Sequence, residues 1–561
     1  MPPKKTPQQG IKLTSPNPHL AKTYDNMGEV AGRDLWTSNS DYACFLPSIS
    51  AIYVRLVSQP NDRVPSGLPN GLQDLDFLQP NTNLFYYPTA LYSSGHSYWD
   101  PAQSDIQEAM VQKRDKNATV IVGDSGGYQI ATGVLKWPWQ KKENQTSQDW
   151  MKDKDAIRMK ILRWLEHSCD YSMVLDVPTG SLLKFGNDPI TGENLHPGVK
   201  NFRDCLESSM ENHEFFIRNR REGDTQFLNV LQGRNQEEGD IWWDVVKDLP
   251  FETWAFSNVQ ASNFAINLRR IIIMRDGKYL DNRDWIHYLG NGKIKAGCAL
   301  TTLQRVWRKH INSRATLSYD AASPFVNVAK GNIYYSWEVS PQSIAYKNNA
   351  LPDKKELKGS TELFQDWINR HNQKHAVRES TIGKRVTIGD ICVKGYEDLV
   401  FKKQAFTQKE LESEIYKQSL EAVHGEKFRY SDEYKHYLMH EHKEHGSGMF
   451  DWGKKEFQEH EKYQVKWPSS MDGLSYVLGM SHNVELHIDA IQHACAMQDL
   501  PQEERKHHIS EDLIEFAGGL CEEILTSEKP MQLIDKHAAM LAKITGMNAD
   551  NNIVMDFDEF E

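Results

Sequence analysis

Four polar side chains stand where apolar runs of this sequence give way to loops: Asp124, Asp176, Gln232 and Asp320. The runs before them, 119–123, 171–175, 226–231 and 315–319, are short and rich in β-branched, aromatic and other apolar residues. Such runs read as buried strands. Two carboxylates at one mouth can act on an anomeric carbon, one displacing the leaving group covalently and the other handling the proton. Asp176 and Gln232 add acceptors and an amide fork, the groups that read the edge of a guanine-like base. Directly after Asp124 come Ser125, Gly126, Gly127 and Tyr128. The two glycines let backbone approach a flat ligand, and Tyr128 can stack on its face. Asp-Ser-Gly-Gly is also ordinary turn chemistry, so the tetrapeptide needs its context.

That context is a rhythm of strand and helix. Strand-like runs at 83–92, 119–124, 171–176, 226–232, 253–258, 285–290 and 315–320 alternate with helical stretches near 106–112, 156–166, 201–218, 239–247, 264–274 and 303–312. Strands joined by helices imply parallel βαβ units. Seven strands are counted, and the eighth is expected within 333–337. The predicted fold is α/β, a (β/α)8 TIM-like barrel with insertions and an additional, mostly helical C-terminal region. Polar groups at the exit ends of several strands then share one pocket, because barrels of this kind keep their chemistry at that face.

The expected divisions are an N-terminal arm and lead-in over 1–82, the barrel over 83–340, a charged His/Lys-rich accessory region over 341–480, and C-terminal helices with an acidic tail over 481–561. In the last of these, Val484, Ile488, Ile491 and Cys495 share one helical face. A net charge of -12 argues against a generally basic nucleic-acid coat but leaves room for a local basic groove. The chain has no long apolar run of the kind that spans a bilayer, and no secretory leader is read at its start. Seven scattered cysteines without a CxxC pair fit reduced thiols in a cytoplasmic protein.

With these residues in place, the chain resembles a known family. Gly123-Asp-Ser-Gly-Gly-Tyr-Gln129 is similar to the signature loop of the queuine and archaeosine tRNA-guanine transglycosylases. Leu175-Asp176-Val-Pro178, Val230-Leu-Gln232-Gly233, Tyr288-Leu-Gly290, Ser318-Tyr-Asp320 and the later Ser481-His482-Asn483 follow in the matching order. The likeness covers roughly 85–340 plus 475–500. It implies that Asp320 is the nucleophile on C1′ and Asp124 the general base. It further implies that Ser125, Gly126, Gly127, Asp176, Gln232, Gly233 and Gly290 line the base site under Tyr128. The implied reaction replaces guanine by a 7-deazaguanine through a glycosyl-enzyme intermediate, with no organic cofactor. No P-loop or dinucleotide fingerprint is present in the sequence.

Two departures select the substrate. Ser257-Asn258 stands where the tRNA enzymes carry a Gly-Gly pair, and their Cys-x-Cys-x-x-Cys zinc cluster is missing. In these respects the chain looks like the DNA-guanine transglycosylases of phages and bacterial modification islands (the DpdA family). The implied partners are DNA and a free 7-deazaguanine base such as 7-cyano-7-deazaguanine, in the host cytoplasm if the protein is phage-encoded. Arg305, Arg308, Lys309, Arg314 and Lys330, near the nucleophile in sequence, are candidate phosphate contacts; exposed barrel helices carry such residues anyway. His440, His442 and His445 reproduce the spacing of the missing cluster and, with His482, are candidate ligands of a structural zinc. The alternative there is a solvated His/Lys/Glu helix. Competing readings of the whole are a tRNA-guanine transglycosylase, a barrel glycoside hydrolase using the same two acids, and a non-catalytic nucleic-acid-binding paralogue.

Overall fold

The computed structural model describes residues 32–35, 41–59, 64–351, 357, 359–392 and 473–545. Its centre is a parallel sheet of eight strands: β1 Cys44–Pro47, β2 Thr89–Ser93, β3 Val120–Asp124, β4 Tyr171–Met173, β5 Gln226–Leu231, β6 Thr253–Phe256, β7 Trp285–Tyr288 and β8 Thr316–Ala321. Around the sheet the order is β1-β8-β7-β6-β5-β4-β3-β2. A parallel bridge from Ser48 to Leu91 brings the two edges together, and the Ile49 N–H donates to the Leu91 carbonyl at 2.9 Å. The sheet thus nearly closes into a barrel with helices between the strands. Its strands are almost wholly buried, which is why they read as apolar runs rather than alternating patterns.

The eighth strand lies elsewhere than expected. It is Cys44–Pro47, within the stretch assigned to the lead-in, and it pairs with β8 in register Ser318 to Cys44. Residues 333–337 belong instead to β9, Asn332–Val339, which pairs antiparallel with β10, Ile344–Ala350. The reason is chain length. A parallel crossover takes about a dozen residues or more, whereas 322–331 leave room only for the short helix Ser323–Ala329. The neighbouring turn at 340–343 serves an antiparallel hairpin.

A helix that the sequence reading did not expect, α1 Ala51–Ser58, follows β1, and the later helices follow the strands as the apolar spacing predicts: α2 Ser147–Ser168, α3 Phe202–Asn219, α4 Gln236–Val246, α5 Phe264–Asp276 and α6 Ile294–His310. Thr146, Asn201, Asn235 and Asn263 cap the N-termini of α2, α3, α4 and α5 by accepting backbone N–H groups. In the C-terminal region, α7 Gly473–Gln498 is wedged among α1, α6, the 323–329 helix and β9. The predicted face of Val484, Ile488, Ile491 and Cys495 is buried, and so are Leu486 and Ala490 beyond it. A helix enclosed on most sides needs apolar residues all round. Finally, α8 Pro530–Ile544 packs on α5. Among the described residues no helix is long and apolar enough to cross a membrane.

Candidate active site

Strand register builds the site. On β2 and β3, Ser93 and Asp124 are paired neighbours at the strand exits. The Ser93 hydroxyl donates to Asp124 Oδ2 at 2.6 Å. Beyond Asp124 the chain turns sharply. Gly126 has φ +79°, and a β-carbon there would stand 3.0 Å from the backbone of Gly95. At Gly127 a β-carbon would come within 2.3 Å of the Asp176 carbonyl oxygen. The glycine pair therefore lets the loop after β3 press against the loops after β2 and β4. In this way Asp176 is brought beside the Asp124 loop. Ser125, buried, directs its hydroxyl to the Val174 carbonyl at 3.3 Å, and Tyr128 lies partly exposed with Lys184 Nζ 5.7 Å from its ring centre.

Across the barrel mouth, Asp320 Oδ1 accepts the Gly290 N–H at 2.7 Å and lies 3.3 Å from His287 Nε2. His287 is wholly buried, with Nδ1 2.9 Å from the Ser318 hydroxyl, its in-register neighbour. Ser318 and Asp320 share a strand face by period-two alternation, so one histidine touches both.

Gln232, Asp176 and Asn258 form a third group. Gln232 Nε2 donates to Asp176 Oδ2 at 2.5 Å, and the amide oxygen of Gln232 accepts from Asn258 Nδ2. Asn258 Nδ2 also donates to Thr179 Oγ1 at 3.0 Å. Asn258 adopts φ +50°, ψ -130°, a backbone conformation that side chains other than glycine rarely hold. The strain sits at the position where the resembled tRNA enzymes carry glycine. Gly233 follows Gln232, its Cα side closed by the backbone of Gly239.

Electrostatics tie the three carboxylates together. Protein crowded around Asp124 pushes its carboxyl above the ordinary range, although part of its surface stays open. Ser93 opposes this, and the charge of Asp320 adds to it. Burial likewise raises Asp176, to about 7; the Gln232 bond lowers it and the Asp124 charge raises it. Each acid thus feels the next. Such a cluster gives the mouth one carboxylate with an oxygen pinned by backbone, a second of raised basicity, and a third acid near neutrality that can hydrogen-bond.

Sequence reasoning missed Ser93, Thr179 and His287. Ser93 ends a strand in the same way as the four residues singled out, and His287 is a polar exception inside an apolar strand.

Four of the five expected phosphate contacts lie at the other end of the barrel. Helix α6 runs back toward the strand entrances, so Arg305, Arg308 and Lys309 near its C-terminus, and Arg314 just before β8, sit at that end. At roughly 3.3 Å per residue, β8 puts about 13 Å between its start and Asp320. There Arg305 pairs with Asp499 at 2.5 Å, Lys309 with Glu522 at 2.6 Å and Arg314 with Asp284 at 3.3 Å. Arg308 Nε donates to the Ala315 carbonyl at 2.7 Å. Closeness in sequence did not mean closeness in space. Lys330 is exposed at the end of the helix that leaves β8.

His440, His442 and His445 lie outside the described residues. His482 does not fit a zinc ligand. Its Nε2–H donates to the Tyr334 carbonyl at 2.7 Å, and its Nδ1 accepts from the Ser380 hydroxyl at 2.6 Å, so both ring nitrogens are engaged. Asn483 beside it accepts the Tyr334 N–H at 2.9 Å and donates to the carbonyls of Pro324 and Asn332. The His-Asn pair thereby straps β9 and the 323–329 helix against α7, just downstream of Asp320. Among the described residues no group of three or more His, Cys, Asp or Glu side chains is arranged to hold a metal ion.

A comparison of the chain with protein-family models finds no match, and a comparison with curated proteins finds none either.

Proposed function

We propose that this chain is a DNA-guanine transglycosylase that exchanges guanine in DNA for a 7-deazaguanine. The observation that carries the proposal is the convergence of Asp124, Asp176 and Asp320 on one barrel mouth, each with its own hydrogen-bond partner. In this mechanism Asp320 attacks C1′ of the target nucleoside through the carboxylate oxygen that Gly290 leaves open. The C1′–N9 bond breaks and guanine departs, taking a proton from the Asp124 carboxyl, which is left ionised. A covalent aspartyl-glycosyl ester remains. The incoming base enters the same slot and loses its N9 proton to Asp124, whose raised basicity suits that task. Its N9 then attacks C1′ and releases Asp320. One glycosidic bond replaces another, so no energy source is consumed. Asp176 and Gln232 hold the base edge, and Tyr128 covers its face.

Asn258 favours DNA over tRNA as the substrate class, since it rebuilds the region where the resembled tRNA enzymes have glycine. The test is incubation of the pure protein with radiolabelled 7-deazaguanines and either duplex DNA or tRNA, followed by digestion to nucleosides. Label in deoxynucleosides is expected. Label confined to ribonucleosides would select the tRNA enzyme, and release of free guanine without incorporation of label would select a hydrolase.

A further inference from the structure

A guanine inside a duplex is out of reach of a barrel mouth, and extruding it costs a few kcal/mol. Enzymes and architectural proteins meet this cost with an apolar side chain pushed between base steps. The loop between β4 and α3, which leaves the base site at Asp176, carries an element of that form. Residues 186–195 make a tight hairpin: Asn187 and Asn194 form an antiparallel bridge, and the Leu195 N–H donates to the Gly186 carbonyl at 3.0 Å. At its tip, Asp188 turns its carboxylate inward and accepts the N–H groups of Ile190 and Thr191, both at 2.8 Å. Pro189 and Gly192, at φ +73°, complete the turn. Ile190 is thereby held out with 92% of its surface exposed, more than any other large hydrophobic residue among those described.

One exposed isoleucine is unremarkable by itself. Here the hairpin that carries it is anchored by hydrogen bonds to the segment after β3. Buried His196 accepts the N–H groups of Gly198 and Val199 at Nδ1, both at 2.9 Å, and donates from Nε2 to the Ala131 carbonyl at 2.6 Å. Trp139 and Phe185 pack edge-on against its ring. The hairpin is therefore fastened to the short helix Gly127–Ala131 that carries Tyr128. Leu183 and Leu195, also exposed, flank its foot. The tip from 188 to 193 holds no lysine or arginine and two acids, Asp188 and Glu193, so it offers phosphates no cation and presents Ile190 as its apolar contact; the Asp188 carboxylate is taken up by the turn.

We infer that Ile190 is a wedge that enters the base stack of duplex DNA and holds open the gap left by the guanine that has swung to Asp320. The inference rests on the transglycosylase reading of the site. It is tested by exchange into a duplex and into the same strand left single, for the wild type, Ile190→Ala and Ile190→Leu. A duplex carrying 2-aminopurine beside the target guanine reports unstacking directly. In the alanine variant the duplex-to-single-strand rate ratio is expected to fall about tenfold or more, with loss of the fluorescence rise. The leucine variant should keep both. An unchanged ratio in Ile190→Ala, or an equal loss on both substrates, would overturn the wedge. Wild-type protein that exchanges base into neither substrate would instead overturn the reading of the site, and the wedge with it.

Discussion

Asp176 ties base recognition to pH in a way that can be worked through. Burial carries its carboxyl from an ordinary 3.8 to about 7, with the Asp124 charge adding to the rise. As a carboxylate it accepts the ring and exocyclic N–H groups of a guanine-like base; protonated, it loses half of that capacity. With a single proton competing at about 7, the ionised fraction is about one half at pH 7, one eleventh at pH 6 and one hundredth at pH 5. The apparent affinity for the free base should therefore drop about fivefold from pH 7 to 6 and about ninefold more to pH 5. Calorimetric titration of the protein with 7-cyano-7-deazaguanine between pH 5 and 8 measures this. Asp176→Asn should bind more weakly at pH 8 and lose the slope. The stability effect has the opposite sign. Because the folded state binds this proton more tightly than the unfolded chain, the contribution of Asp176 favours folding below about 4 and is lost as pH rises through 7. At 1.36 kcal/mol per pH unit, Asp176→Asn should stabilise the protein at pH 8 by at most about 4 kcal/mol, and leave it nearly unchanged at pH 4. A base affinity that is flat from pH 5 to 8 would refute the assignment of Asp176 to the base edge.

Two further substitutions probe the side chains around the acids. His287→Ala removes a neighbour of the Asp320 carboxylate and should lower kcat about tenfold to a hundredfold with little change in the KM for free base, since His287 positions the nucleophile without touching the base; a KM effect of the same size would place it in base binding. Asn258→Gly relieves the strained backbone but frees the Gln232 amide, so thermal stability should change by no more than about 1 kcal/mol while the KM for base rises about tenfold. Steady-state kinetics beside a melting curve read both terms, and an unchanged KM would remove Asn258 from recognition.

Much of this arrangement was legible before any coordinates. Strands β2 to β8 announced themselves because a buried parallel strand leaves an uninterrupted apolar run. The residues at their exits, Asp124, Asp176, Gln232 and Asp320, were visible as the first polar groups after each run. Residues 42–57 left room for a strand or two, but β1 was not counted into the barrel because Cys-Phe-Leu-Pro is only four residues long, shows no alternation and ends in proline. The longer aromatic stretch of β9 took its place, although its link to β8 is too short for a crossover. Ser93 obeyed the exit rule as well as Asp124 does, but a lone serine carries little chemistry until its partner is known. His287 depends on register, which sets it beside Ser318 and so beside Asp320; register is a property of paired strands rather than of either run alone. The basic residues of α6 misled for the converse reason. A helix of 17 residues carries the chain about 25 Å, back to the far end of the barrel. Ile190 left no periodic signal at all, since its prominence comes from the turn that Asp188, Pro189 and Gly192 build around it.

The central claim is that Asp320 becomes bonded to the sugar. Mixing the protein with duplex DNA lacking any acceptor base, quenching in denaturant and mapping peptides by mass spectrometry tests it directly. A deoxyribose-linked adduct on the peptide containing Asp320, absent in Asp320→Asn and discharged by adding a 7-deazaguanine, is the predicted result. Full base exchange by Asp320→Asn, or an adduct carried by Asp124 instead, would contradict the account.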